Sequence, residues 1–190
     1  MPSTDSHPPS YPPSHAHSAA QLVEASVVFL SASGVLSATS GSAEHTRRYV
    51  WAPALEAMLR PHPHICLVYL ADADELHDAA ALPQRLGHLG DRIIQILPAA
   101  PAMAGAIQAW LAAHPEVREY RVLANQQDGY ALSGLAVLYC DPERGLDDPA
   151  LRASLAAWLG EAHEAWPPAG DGNHAGGYAA RKRQRVLQAS

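Results

Sequence analysis

Short apolar runs that recur along the chain constrain its fold more than any other feature of the sequence. Five of them have the length and side chains of buried β-strands, at residues 27–30, 65–70, 93–97, 120–123 and 135–139. Segments with apolar residues at helical spacing separate most of these runs. Uninterrupted apolar strands that alternate with helices are typical of a parallel sheet with both faces covered. The sequence therefore predicts an α/β fold, a three-layer, doubly wound parallel sheet.

Four helices are predicted around these strands. The first begins near Pro53, because proline suits the first turn of a helix, where its missing N–H is not needed. The second covers about residues 75–89, and the third ends near His114. The last begins at Asp148 and Pro149, an N-cap residue followed by a first-turn proline.

Both ends of the chain differ in composition from its middle. Residues 1–22 are rich in Pro, Ser and His, so they cannot bury enough apolar surface to offset the entropy cost of ordering. They also lack the basic start and apolar middle of a signal peptide. Residues 165–190 combine glycines with a basic run and are predicted to be a flexible tail. One domain, residues 23–164, is expected between the two tails.

Charge and cysteine content limit the partners and the compartment. The net charge of −6 argues against a duplex nucleic-acid binder, which usually presents a basic surface. The exception is the basic run of Arg181, Lys182, Arg183 and Arg185, which offers a contact for RNA phosphates or a protein partner. A solubilising tail is the plainer interpretation. Two cysteines and no apolar stretch long enough for a membrane helix predict a cytoplasmic protein, whose partner is unknown.

Function in such folds is sought at the carboxyl ends of the strands, where ligands bind. After the first strand the chain reads Ser31-Ala-Ser-Gly34-Val-Leu36, and Gly34 suits a sharp turn. Residues 29–36 resemble the opening motif of the haloacid dehalogenase (HAD) superfamily, a hydrophobic strand followed by Asp-x-Asp-Gly-Val/Thr-Leu. The resemblance is closest to the small HAD domains associated with bacterial Swiss Army Knife RNA repair proteins, and it covers about residues 23–159.

The resemblance implies a HAD-like, Rossmannoid domain, but every catalytic position of the family departs from its pattern. The family's nucleophile, acid/base, phosphate-binding, cationic and metal-binding positions fall on Ser31, Ser33, Leu70 (or Ala71), Met103, Ala124 and Asn125. Serine is a weak nucleophile without an adjacent base, and losing a general acid or base typically costs about 10²–10⁴ in rate. Mg²⁺ prefers carboxylate ligands, and none remains at the matched positions.

These departures predict a pseudo-phosphatase that needs no cofactor and acts as a binding or regulatory module. Its pocket is expected to include Ser31, Ser33, Gly34, Asp72, Asn125 and Asp128. The alternatives are a protein- or RNA-interaction module that works through the basic tail, and a divergent hydrolase that holds Mg²⁺ through acidic residues near the strand ends, Asp72, Asp74, Asp128 and Asp141. The plainer interpretation is that these aspartates cap helices or solvate loops.

The cysteines, two histidines and the tryptophans receive structural roles. Cys66 lies inside a predicted strand and is expected to be buried and inert, whereas Cys140 ends a strand and is expected to be more accessible. His62 and His64 are interpreted as surface residues at the edge opposite the site. Two tryptophans on apolar helix faces, Trp110 and Trp158, are expected in the core, and packing is also favoured for Trp51.

Overall fold

The computed structural model describes residues 26–39, 48–99, 103–126 and 132–164, with side chains as far as residue 162. These residues form a five-stranded, all-parallel sheet in the order β3-β2-β1-β4-β5. The strands are β1 (Ser26–Ser31), β2 (Ile65–Ala71), β3 (Ile93–Pro98), β4 (Glu119–Asn125) and β5 (Val137–Cys140). The predicted α/β class is confirmed.

The five predicted strands are all present, with shifted ends. β1 and β4 run further than expected, so that Ser31 and Asn125 are their last residues. β5 begins at Val137 rather than at Leu135. Leu135 belongs to a turn, because its N–H donates to the carbonyl oxygen of Leu132 at 3.2 Å.

In the described ranges, five α-helices accompany the sheet: α1 (Ala52–Leu59), α2 (Ala73–Leu76), α3 (Leu82–Arg85), α4 (Met103–Ala113) and α5 (Pro149–Glu164). Segments of 3-10 helix cover Gly87–Arg92 and Gly145–Asp147. The predicted start of α5 is confirmed, because the Asp148 carboxylate accepts the N–H of Ala150 at 3.0 Å.

The single helix predicted over residues 75–89 is wrong. This segment contains α2, α3 and the first part of a 3-10 helix. Pro83 lies in the first turn of α3, where its missing N–H prevents the chain from continuing one helix from α2. Gly87 then takes a left-handed backbone with φ of 58°, which ends α3. The apolar spacing alone did not reveal either interruption.

Each face of the sheet contributes to its own apolar core. On one side, Leu30 and Leu67 pack with Leu55 of α1 and Leu155 of α5. On the other side, residues of the same strands pack against α4. Because successive side chains of a strand point to opposite faces, strands buried on both sides carry continuous apolar runs.

The core beneath α4 is built on aromatic contacts. The Phe29 ring meets Trp110 edge to face at 5.4 Å between centroids and Tyr120 at 5.9 Å. Trp110 is 6% exposed in this core and Trp158 is 3% exposed in the core on the opposite face, which confirms that both are core residues.

The two predicted tails, residues 1–22 and 165–190, lie outside the described residues, as does the basic run that begins at Arg181. Within the described ranges, no helix combines the length and the apolar character that a membrane crossing requires.

Candidate functional site

The strand order reverses between β1 and β4. From β1 the chain steps outward to β2 and β3, and it then returns to place β4 on the other side of β1. In open α/β sheets, ligands bind in the crevice beyond the carboxyl ends of the strands at this reversal. Ser31 and Asn125 end the two strands that flank it, and we call their surroundings the strand-end crevice.

The loop after β1 forms a tight turn over this crevice. The Ala32 carbonyl oxygen accepts the N–H groups of Val35, Leu36 and Ser37 at 3.2, 2.9 and 3.0 Å. The N–H of Gly34 donates to the Ser37 carbonyl oxygen at 2.7 Å. Gly34 has a φ of 71°, so the sharp turn predicted at this glycine is present.

Asn125 closes the crevice from the side of β4. Its side chain is 4% exposed, and its amide nitrogen donates to the Ser33 carbonyl oxygen at 3.2 Å. A Cβ atom added at Gly34 would lie 2.4 Å from the Asn125 Cβ. The glycine and the asparagine are therefore in direct contact, and the asparagine occupies the space above the turn.

The two serines predicted for the pocket differ in exposure. Ser31 is 5% exposed, whereas Ser33 is exposed and offers its carbonyl oxygen to Asn125. Of the histidines with described side chains, His77 alone belongs to an element at the carboxyl edge, and its Nδ1 lies 2.6 Å from the carbonyl oxygen of Ala73. No histidine with a described side chain is therefore placed to act as a base for the Ser31 hydroxyl.

Three further positions singled out by the resemblance belong to the apolar core. Leu70, Met103 and Ala124 are 1%, 8% and 0% exposed and share the cluster beneath α4. Ala71, the alternative to Leu70, is buried in the core on the opposite face. These side chains exclude water next to the crevice and offer no group that could bind an anion or a cation.

The predicted acidic rim is engaged in local structure where it is described. Asp72 is the N-cap of α2: its Oδ1 accepts the N–H of Glu75 at 2.9 Å, while the Glu75 side chain accepts the Asp72 N–H at 3.2 Å. Asp141 accepts the N–H groups of Glu143 and Arg144 at 2.8 and 3.3 Å. Asp74 is exposed in the first turn of α2.

Asp128 lies outside the described residues, so its predicted place in the pocket has no structural description. Among the residues that the structure does describe, no group of three or more His, Cys, Asp or Glu side chains has a geometry for a metal ion.

Neither cysteine is poised for nucleophilic chemistry. Cys140 is fully buried, so the prediction that it is the more accessible thiol is wrong: its side chain points into the core that contains Leu146 and Trp158. Burial, and to a lesser extent Asp148, raises the pKa of the Cys140 thiol to about 12. Cys66 is half-buried, and burial raises its pKa to about 11 against the opposing effect of Arg92.

His62 and His64 precede β2 at the amino-terminal edge, away from the crevice as predicted, and both are half-buried. Arg92 organises this edge, because its guanidinium donates to the carbonyl oxygens of Leu59, His62 and Ile65 at 2.8, 2.8 and 3.1 Å. A surface pocket of about 460 Å³ lies beside it.

One buried polar cluster has no counterpart in the sequence predictions. Glu75 is 4% exposed, and its Oε1 accepts the phenolic O–H groups of Tyr49 and Tyr69, each at 2.8 Å. Burial, followed by interactions with Glu75, raises the pKa of both phenols, so they remain protonated donors. The spacing of Asp72 and Glu75 is that of a capping box, which is the one sequence signal that points to this turn.

Trp51 is 6% exposed and packs in the core, as predicted. Its indole N–H donates to the Asp147 carboxylate at 2.9 Å, and its ring lies so close to Gly145 that an added Cβ there would come within 2.1 Å of it.

No protein-family model and no curated protein matches this chain. The interpretation of the strand-end crevice therefore depends on its own residues and their geometry.

Proposed function

We propose that the chain is a catalytically degenerate HAD-like domain, a pseudo-phosphatase that acts as a binding or regulatory module. In this proposal the fold is a three-layer, doubly wound Rossmannoid domain. The strand order and the position of residues 29–36 support it, because the HAD-like motif then begins at the strand-order reversal, where such folds bind ligands.

The side chain of Asn125 is the observation that carries the proposal. Under the resemblance, this position belongs to a metal-binding carboxylate. Asn125 instead uses its amide as a hydrogen-bond donor to the Ser33 carbonyl oxygen, at a buried site. An ionised carboxylate has no proton to donate, so this contact favours a neutral crevice over one prepared for Mg²⁺.

The neighbouring residues favour the same conclusion. Phosphoryl transfer depends on positioning and on neutralising the charge of the phosphoryl group. Leu70, Met103 and Ala124 supply apolar surface at positions where the family carries polar groups. A phosphoserine formed at Ser31 would also be a stable ester, whereas the acyl-phosphate of an aspartate is readily hydrolysed.

The alternative hydrolase has less support. Asp72 and Asp141 already accept backbone N–H groups in a helix cap and a turn, and they follow strands on opposite sides of β1. Metal–oxygen distances of roughly 2–2.6 Å would require both carboxylates to reach one ion, although two strands, β1 and β4, separate β2 from β5.

A phosphatase assay tests the proposal. The purified full-length chain is incubated with p-nitrophenyl phosphate and Mg²⁺ beside the matched variant Ser31→Ala. We expect equal background rates for the two proteins, because a serine hydroxyl is a weak nucleophile without an adjacent base and Ser31 is buried. A Mg²⁺-dependent rate that is lost in Ser31→Ala would overturn the proposal.

Restoring the family's carboxylates tests the HAD-like assignment separately. We expect Mg²⁺ to leave the thermal unfolding midpoint of the wild-type chain unchanged and to raise that of the double variant Ser31→Asp/Asn125→Asp, since a ligand that binds the native state stabilises it. The double variant Gln84→Glu/Ser154→Asp, which adds the same two negative charges at exposed positions of α3 and α5, is the matched control. Equal Mg²⁺ responses of all three proteins would contradict the assignment.

A further inference from the structure

Tyr49 has an unusual backbone conformation. It is the one non-glycine residue in the described ranges with a positive φ, at 64°. Bulky L-residues disfavour this left-handed region, because their Cβ atom crowds the backbone. Such a conformation persists only where the surrounding structure imposes it. The neighbours of Tyr49 must therefore hold it in place.

Three hydrogen bonds hold Tyr49. Its N–H donates to the Ser37 hydroxyl oxygen at 2.7 Å, and its carbonyl oxygen accepts the N–H of Ala52 at 3.0 Å. Its phenol donates to Glu75 Oε1 at 2.8 Å. The first two bonds stay within the connection between β1 and α1. Of the three, only the hydrogen bond from the phenol joins this connection to the turn after β2.

Glu75 is an acceptor shared by several donors. Tyr69 of β2 donates to the same Oε1 at 2.8 Å, and the Asp72 N–H reaches Oε2 at 3.2 Å. A buried carboxylate is costly unless hydrogen bonds replace its water. Glu75 therefore gains from binding the Tyr49 phenol, and this gain opposes the unfavourable backbone of Tyr49.

We propose that Tyr49, Glu75 and Tyr69 form a conformational latch. While the phenol of Tyr49 is bound to Glu75, residues 48–51 keep the left-handed turn at Tyr49. When that bond is lost, the turn relaxes to a negative φ and the neighbouring hydrogen bonds open, while the sheet remains folded.

The latch is connected to the strand-end crevice through Ser37. The hydroxyl oxygen of Ser37 accepts the Tyr49 N–H, and its carbonyl oxygen accepts the Gly34 N–H at 2.7 Å. Gly34 in turn contacts Asn125. The state of the latch thus sets the position of the loop that covers the crevice. The latch stands on its own geometry, and its use in regulating binding rests on the proposed function.

The test uses Tyr49→Phe in the full chain, which removes one hydroxyl and keeps the ring. The intraresidue HN–Hα NOE of residue 49, strong only for a left-handed backbone, should weaken. Hydrogen exchange should accelerate about tenfold at the Trp51 amide, which donates to the Leu36 carbonyl oxygen, and stay unchanged at Val28 in β1. Tyr120→Phe, which alters a ring in the opposite core, is the matched control and should change neither value at residues 49 and 51.

A persistently strong NOE in Tyr49→Phe would overturn the latch, as would equal acceleration at Trp51 and Val28, because equal acceleration means global unfolding. If the variant does not fold, native-state hydrogen exchange of the wild-type chain in increasing denaturant tests the latch instead. The latch requires the Trp51 amide to exchange through a smaller opening than Val28, and a common opening for both would refute it. These outcomes do not depend on the phosphatase assay, so the two proposals fail separately.

Discussion

Replacing Asn125 by aspartate exchanges a hydrogen-bond donor for an acceptor at a buried site. The wild-type amide donates to the Ser33 carbonyl oxygen at 3.2 Å, and the side chain is 4% exposed. In Asn125→Asp, an ionised carboxylate oxygen would face that carbonyl oxygen at a similar distance. The change alters no volume, so its effect reports the chemistry of the contact rather than packing.

The expected cost of this change can be worked out from two contributions. Losing the hydrogen bond costs about 1 kcal/mol, and leaving buried polar groups without suitable partners costs about 1–3 kcal/mol more. We therefore expect the free energy of unfolding to fall by about 2–4 kcal/mol at neutral pH, which lowers the melting temperature by on the order of 10 °C.

The loss of unfolding free energy in Asn125→Asp should depend on pH. Burial beside a carbonyl oxygen raises the pKa of the new carboxyl group in the folded state above its value in the unfolded chain, about 3.9. Below that value both states are protonated, and the acid can donate to Ser33 much as the amide does. Stability relative to the wild-type chain therefore falls as the pH rises through the interval between the unfolded and folded pKa values.

Urea denaturation followed by tryptophan fluorescence at about pH 4 and about pH 8 measures both effects. Asn125→Leu is the matched control, because it also removes the donor but cannot ionise, so its deficit should be the same at both pH values. If Asn125→Asp were as stable as the wild type at the higher pH, Asn125 would not act as a donor. The proposal of a neutral crevice would then lose its main support.

Gly34→Ala should cost more than about 3 kcal/mol in thermal unfolding, because the new Cβ would lie 2.4 Å from the Asn125 Cβ in addition to the unfavourable φ. Gly134→Ala has a similar positive φ but no atom within 4 Å, so it should lose only about 1–2 kcal/mol; equal losses would contradict the contact. Both thiols should react slowly with a disulfide reagent at about pH 8, Cys66 before Cys140, because burial raises their pKa values to about 11 and 12. Rapid labelling of Cys140 in the native protein would count against its burial.

The strands could be predicted because their signal is local. Each is a short run of mostly apolar residues, interrupted only by Gln95 in β3 and Arg121 in β4, and a parallel sheet buried on both faces favours such runs. The prediction of one helix over residues 75–89 was wrong for the opposite reason. The apolar residues there keep a helical spacing, but Pro83 and Gly87 interrupt the helix. The strand order could not be predicted from local sequence patterns either, since nothing in the sequence near β4 indicates that it pairs with β1.

The polar contacts of the site join residues that are far apart in sequence. Asn125 and Ser33 are separated by 92 positions, and Tyr49 and Glu75 by 26. The resemblance to the HAD motifs singled out Asn125, but it could not indicate that the amide is used as a donor. Glu75 was missed because a carboxylate in a polar helix usually faces solvent, and only its two tyrosine neighbours explain its burial.

The neutral residues of the crevice depend on one another in the proposed function. Two carboxylates at the ends of neighbouring strands repel each other unless a cation lies between them, and burial increases the cost of each charge. Once one of them is lost, metal affinity falls and the other becomes a buried charge without a partner. Replacing it by a neutral donor then stabilises the fold. Ser31 and Asn125 fit this sequence of events, because both are buried and Asn125 forms a hydrogen bond that an ionised aspartate could not. Under the proposed function, a carboxylate introduced at either position alone would therefore be a buried charge without a partner, and metal binding would require carboxylates at both positions together.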